Sequence, residues 1–119
     1  MEQAEFLEKH VFAGLENLND GFDESGNHYF SQEHFEKVLE QAEYFGIGIY
    51  KITPFYNGEA YGVAEHESFK KKATDPKWYN KAFLTFTHRQ EGLLYAATYK
   101  VSGKLLARYS ADKNEEEEV

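Results

Sequence analysis

The chain contains no cysteine, only two prolines and one tryptophan, and it has no long apolar run. The lack of cysteine excludes disulfides, thiolate zinc sites and cysteine nucleophiles. No stretch approaches the roughly 18 apolar residues of a membrane span, and the first ten residues carry three glutamates instead of an apolar segment. We therefore expect neither a membrane span nor a signal peptide, and we predict a cytoplasmic protein.

Aromatic residues, in contrast, are abundant, with ten phenylalanines and nine tyrosines among 119 residues. These side chains supply enough apolar area for a core, and a chain of this length buries roughly two-thirds of its unfolded surface in one domain. We predict a single α+β domain over residues 1–111. The charged residues 112–119 have nothing to bury and are predicted to form a flexible acidic tail.

Charge is distributed unevenly along the chain, whose net charge is -8. Residues 1–67 contain 14 acidic and 3 basic residues, whereas residues 68–114 contain 3 acidic and 10 basic residues. Four consecutive glutamates follow at 115–118. Such asymmetry between two halves of one domain indicates an interaction surface more than a requirement of the fold.

Two helices are predicted in the N-terminal half. The first runs from Glu2 to Leu18, where apolar residues recur at steps of three and four. A polar loop rich in Asn, Asp and Gly follows, from Asn19 to Phe30. The second helix begins after Ser31, a favourable N-cap, and stops at Gly46, a favourable C-terminal residue. Its apolar residues form a stripe that is typical of a helix packed on a core.

Alternating patterns in the second half predict strands. Asn57-Gly58 indicates a tight hairpin turn, and Asp75-Pro76 indicates a short turn of helix. The predicted strands are Ile47 to Ile52, Ala60 to Ala64, Lys81 to His88, Leu93 to Val101 and Lys104 to Tyr109. We therefore predict an α+β fold in which two N-terminal helices pack on a five-stranded antiparallel sheet.

A row of glutamates marks the second helix as the candidate site. The four glutamates from Glu33 to Glu43 are three, four and three residues apart, which places them on one side of the helix. They cover about 15 Å of the helix axis, or about one charge per 5 Å. A DNA strand presents a phosphate roughly every 3.4 Å, so the row approximates part of a phosphate backbone. A solvated helix face is the alternative interpretation. The candidate partner-binding residues are Glu33, Glu36, Glu40 and Glu43, with Glu2, Glu5, Glu8, Asp20, Asp23 and Glu24 as acids that would broaden the row.

In size, acidity, lack of cysteine and lack of catalytic motifs, the whole chain resembles the small bacterial DNA-mimic proteins, among them the helix-plus-sheet kind that binds the nucleoid protein HU. These mimics share no motif, so the resemblance transfers no individual residue. It implies a basic, HU-like DNA-binding partner, a competitive mechanism and no direct contact with nucleic acid. An immunity or anti-nuclease protein that plugs a nuclease active site is the alternative. We predict no enzymatic activity, no cofactor, and a monomer.

The loop at 23–34 resembles the calcium loop of EF-hand proteins. Asp23, Ser25 and Asn27 occupy its first, third and fifth positions, but His28 and His34 replace the glycine and the bidentate glutamate at its sixth and twelfth positions. This resemblance implies a calcium-responsive domain as a further alternative. The two replacements favour an ordinary capped turn between helices, and we predict no metal site.

A basic and aromatic segment lies around Lys70, Lys71 and Lys72, with Lys77 and Lys81 nearby. Single-stranded nucleic acid is one possible ligand for such a segment. Because the whole chain is acidic, we expect instead that these lysines balance the acidic half within the fold.

Overall fold

The structure, a computed structural model, describes residues 2–109, which form an α+β fold of four α-helices and a four-stranded antiparallel sheet. The predicted tail at 112–119 lies outside the described residues. The helices are α1 (Gln3–His10), α2 (Gln32–Phe45), α3 (Pro76–Arg89) and α4 (103–109), with a 3-10 turn at His66–Phe69. The strands are β1 (Gly48–Tyr56), β2 (Glu59–Ala60), β3 (Ala64–Glu65) and β4 (Leu94–Lys100).

Strand β1 is the centre of the sheet. It pairs with β4 along one side, while β2 and β3 share its other side. The turn from β1 to β2 is Asn57-Gly58, where both residues have positive φ, 53° and 80°. A two-residue turn with positive φ at both positions matches the twist of the strands it connects, so the predicted hairpin is confirmed. The strand predicted at Ala60 to Ala64 is instead divided between β2 and β3.

Helix α2 has the predicted boundaries. The Ser31 hydroxyl accepts a hydrogen bond from the backbone N–H of His34 at 3.3 Å, and Gly46 adopts a left-handed conformation with φ of 69°. These two residues satisfy backbone groups that a helix end leaves without partners. The buried face of α2 carries Phe35, Val38, Leu39 and Ala42.

Two predicted strands are helical, so the prediction of a five-stranded sheet is wrong. Lys81 to His88 lies within α3, because the Asp75 carboxylate caps the helix by accepting from the N–H of Lys77 at 2.9 Å. Pro76 then fits the first helical position. Lys104 to Tyr109 lies within α4, where the Ser102 hydroxyl accepts from the N–H of Leu105 at 3.1 Å.

The first helix is shorter than predicted, since α1 ends at His10 and not at Leu18. Gly14 has a φ of 78°, a left-handed conformation that does not continue a helix. Val11 and Phe12 are nevertheless buried beyond the end of α1. One apolar core joins α1, α2, α3 and the sheet, and its fully buried residues include Phe6, Phe35, Trp78 and Tyr95.

The outer edge of β4 is covered at two places. Tyr95 exchanges both of its backbone hydrogen bonds with Phe30, at 2.8 and 2.9 Å. Further along the strand, the Gln3 side-chain amide donates to the Tyr99 carbonyl at 3.0 Å and accepts from the Val101 N–H at 2.9 Å. The side chain of Gln3 therefore takes the place of a neighbouring strand at the end of the sheet.

Candidate functional site

The glutamates of α2 lie exposed on one side of the helix. At about 100° per residue, Glu33, Glu36, Glu40 and Glu43 fall within an arc of about 80°. The last three line a groove of about 450 Å³ between α2 and α3. We call this feature the α2–α3 groove; it is lined by Gln32, Glu36, Leu39, Glu40, Glu43, Asn80, Phe83, Leu84 and Thr87.

The α2–α3 groove combines negative charge with apolar surface. Leu39 and Phe83 contribute side chains that also pack on the core, and Leu84 is 55% exposed. None of the described residues that line the groove is a lysine, arginine or histidine. A basic ligand with an apolar side would therefore find complementary charge and apolar contact in one place.

The α2 carboxylates have no cationic partner among residues 2–109. The ion pairs of that range join Lys9 to Glu5 at 3.6 Å and His66 to Glu67 at 3.9 Å. Lys70, Lys71 and Lys72 are exposed, and none of them pairs with a described carboxylate. The expected charge balance is therefore not made by direct ion pairs in the described part of the chain.

The acids of α1 do not line the α2–α3 groove. Glu5 is half-buried beside Lys9, and Glu8 lines a different depression, together with the loop at 26–28 and β4. Between α1 and α2, a third depression of about 500 Å³ is lined by Lys9 and Lys37 and also by Glu40, which therefore borders this depression as well as the groove. Glu2, the N-cap of α1, is exposed. The α2–α3 groove therefore takes its carboxylates from α2 alone.

In the loop at 23–34, the Asp23 carboxylate makes hydrogen bonds that stabilise the loop. Its oxygens accept hydrogen bonds from the Ser25 N–H at 2.9 Å, the Asn27 side-chain amide at 3.0 Å and the Tyr29 hydroxyl at 2.8 Å. The hydrogen bond from Tyr29 contributes most to lowering the pKa of Asp23 below its ordinary value, followed by the bond from Asn27. The nearby Asp20 and Glu24 are exposed.

Two asparagines complete this loop, and the sequence analysis missed their role. The Asn19 side chain accepts from the N–H groups of Gly21 and Asp23 and donates to the carbonyls of Asp23 and Asn27. The Asn17 side chain accepts from the N–H groups of Asn19 and Tyr29. The signal was the Asn-x-Asn pattern four residues before Asp23, since such short side chains bond readily to nearby backbone.

The loop does not have the arrangement that the EF-hand resemblance implied. Helix α1 ends at His10, so no helix leads into the loop at Asp23, and the Asp23 oxygens already accept three hydrogen bonds. The His28 ring stacks on Phe12 at 4.8 Å. Within residues 2–109, no group of three or more His, Asp or Glu side chains could hold a metal ion. The donor set does not fit a calcium site.

Three buried tyrosine hydroxyls form a feature without any sequence signal. The hydroxyls of Tyr79, Tyr95 and Tyr99 have no hydrogen-bond partner among the described residues. Burial raises the pKa of Tyr79 to about 12, with a further contribution from the negative charge of Glu43. Burial also raises the pKa of Tyr95 to about 12. Glu43 thus places negative charge near Tyr79 as well as along the groove.

The comparisons with known proteins leave the fold and the site to be interpreted on physical grounds. No protein-family model matches the chain, and neither the curated proteins nor the solved structures give a match. Among residues 2–109, no helix is both long enough and apolar enough to cross a membrane.

Proposed function

We propose that this protein binds a basic DNA-binding protein of the HU type through the acidic side of α2, taking the place of DNA on that partner. The observation that supports the proposal is the set of four exposed α2 glutamates, none of which has a cationic partner within residues 2–109. Unpaired carboxylates on one helix side cost some stability through mutual repulsion, and a cationic partner would relieve that repulsion.

The proposed contact is local. Glu33 to Glu43 covers about 15 Å, so the row can occupy a few lysine or arginine side chains that would otherwise contact neighbouring phosphates. An exposed ion pair contributes roughly 0.2–1 kcal/mol, and four of them contribute about 1–4 kcal/mol. We therefore expect a moderate affinity that falls as salt screens the charges.

The shape of this surface favours competition with DNA over the plugging of a nuclease. An inhibitor that fills an enzyme cleft needs a protruding surface, whereas Glu36, Glu40 and Glu43 line a concave one. A concave acidic surface can accept basic side chains that project from a partner. A DNA-binding protein uses such projecting side chains to contact the phosphates of DNA.

Displacement of DNA from a purified HU-type protein tests the proposal. A fluorescent DNA duplex is first bound to the nucleoid protein, and its anisotropy is followed while this protein is added. We expect release of the duplex at low salt, with more protein needed as the salt concentration rises. Direct binding of the labelled duplex to this protein alone is measured as the control. DNA that stays bound to the nucleoid protein at low salt, with this protein in large excess, would contradict the proposal.

A further inference from the structure

The apolar part of the α2–α3 groove is not required by phosphate mimicry. Leu84 lies within the 14-residue helix α3, is 55% exposed, and lines the same groove as three carboxylates. A row of phosphates offers a partner charge and hydrogen-bond acceptors but little apolar contact. Leu84 therefore offers apolar contact beside the carboxylates, and a partner that carries both cations and an apolar side chain can use the two together.

The spacing of the carboxylates favours a helix over an extended strand as the bound element of that partner. Glu36, Glu40 and Glu43 lie four and three residues apart, which corresponds to steps of about 6.0 and 4.5 Å along the axis of α2. A helix that lies along the groove presents its own residues at the same two steps. An extended strand presents residues on one side at a constant step of about 6.7 Å, so its register with the carboxylates drifts.

We propose that the α2–α3 groove binds a cationic amphipathic helix of the partner. Lysine or arginine side chains on one edge of that helix pair with Glu36, Glu40 and Glu43, while an adjacent apolar side chain packs on Leu84. This inference rests on the proposed function, because it assigns to the same acidic surface the structural element of the partner that it holds. Docking of an amphipathic helix in a groove between two helices is an established mode of peptide recognition.

Two synthetic peptides of identical composition test the inference. Both are helix-forming sequences of about 18 residues, or about 27 Å, which exceeds the roughly 17 Å from Gln32 to Glu43 along the groove. The first places lysines and leucines on adjacent stripes, and the second scatters the same residues around the helix. Binding of each labelled peptide is measured at about 0.15 M salt. We expect the amphipathic peptide to bind at least about tenfold more tightly, since one buried leucine contributes that much.

Matched variants identify the surface. Leu84→Ser is expected to bring the affinity of the amphipathic peptide down to that of the scattered peptide. Val63→Ser is its control, because Val63 is 56% exposed and does not line the groove. Thermal melts of both variants verify that they fold. Changing Glu36, Glu40 and Glu43 together to Gln is expected to weaken binding of the amphipathic peptide at least about threefold.

The outcomes separate this inference from the proposed function. A preference for the amphipathic peptide that Leu84→Ser removes and Val63→Ser preserves supports the inference. Equal affinity for the two peptides would overturn it, and so would a preference that Leu84→Ser leaves unchanged. If DNA is still displaced from the nucleoid protein in either of those cases, the proposed function stands without the helix-binding groove. Loss of both results would reject the two proposals together.

Discussion

The loop around Asp23 and the acidic side of α2 use the same type of side chain in opposite ways. The Asp23 carboxylate accepts hydrogen bonds from Ser25, Asn27 and Tyr29 within its own loop. The α2 glutamates are exposed and have no cationic partner among residues 2–109. A carboxylate whose acceptor sites are filled contributes to folding, whereas one that faces solvent without a partner remains available to another molecule.

This difference is not visible in composition. Asp23 and the α2 glutamates all belong to the acidic half of the chain, and both regions were candidate binding sites from the sequence. Local hydrogen bonding separates them, because a short Asp side chain in a turn reaches nearby backbone and side-chain donors. Glu36, Glu40 and Glu43 lie beyond the first turn of α2, where the helix already uses the backbone N–H groups. We therefore expect substitutions in the two regions to affect different properties.

The largest expected effect is on partner binding. Changing Glu33, Glu36, Glu40 and Glu43 together to Gln should weaken binding to the HU-type protein by about fivefold or more, from the loss of about 1–4 kcal/mol of ion pairing. The melting temperature should stay the same or rise slightly, because like-charge repulsion on α2 is removed. Affinity and melting temperature are measured on the same preparations.

The control for this change removes the same number of charges elsewhere on exposed positions. It replaces Glu16, Glu59, Glu65 and Glu91 with Gln. This variant should lose only the small part of the affinity that comes from the net charge. Equal loss of binding in the two variants would mean that overall acidity, and not the α2 surface, attracts the partner.

A smaller effect, and one on stability instead of binding, is expected at Asp23. Asp23→Asn keeps the size of the side chain but places an amide where two oxygens now accept three hydrogen bonds, so the melting temperature should fall. Because the pKa of Asp23 is lowered in the fold, its contribution is present at neutral pH and is lost as the pH falls below about 3.8. The variant should therefore lose less stability than the parent in acid. We also expect Asp23→Asn to leave partner binding unchanged.

The smallest effects are expected from a pair of tyrosines that differ only in their hydrogen bonding. Tyr29→Phe removes a donor to Asp23 and should destabilise the protein, whereas Tyr95→Phe removes a hydroxyl without a described partner. The second change should leave the free energy of unfolding level or raise it by up to about 1 kcal/mol. Chemical denaturation measures both. A clear destabilisation by Tyr95→Phe would reveal a partner for that hydroxyl.

The same tyrosine gives a test by pH. Burial raises the pKa of Tyr95 from 10.0 to about 12, so between these values the folded chain holds a proton that the unfolded chain releases. Stability should therefore fall as the pH rises through this range, and Tyr95→Phe should reduce the slope of that fall. An unchanged slope would indicate that other groups dominate the alkaline transition.

The elements predicted correctly from the sequence carry their own end signals. Ser31 and Gly46 bound α2, Asn57-Gly58 forms the hairpin turn, and β4 covers most of the predicted Leu93 to Val101 strand. Their geometry depends on residues within a few positions, so local rules suffice. The acidic row on α2 was placed on one helix side for the same reason.

The prediction of a strand at Lys81 to His88 is wrong because the helical pattern of α3 begins several residues earlier, at Asp75. Within Lys81 to His88 the alternation resembles a strand, but the buried residues Trp78, Tyr79, Ala82 and Phe86 repeat at helical spacing from the Asp75 cap onward. A strand at Lys81 to His88 would leave no groove beside α2, so the α2–α3 groove does not follow from the sequence pattern. Its apolar lining depends on the packing of two helices separated by about 30 residues of chain.

The contacts that Gln3 makes with the end of β4 have a consequence for self-association. An open strand edge can recruit the same edge of another molecule and start a growing sheet. Here the edge is occupied by Phe30 at Tyr95 and by the Gln3 amide at Tyr99 and Val101, which leaves Ala97 between two short covered stretches. A neighbouring copy therefore meets too few consecutive free backbone groups to pair in register. Gln3 thus limits edge-to-edge aggregation at a strand that lies more than 90 residues away in the sequence.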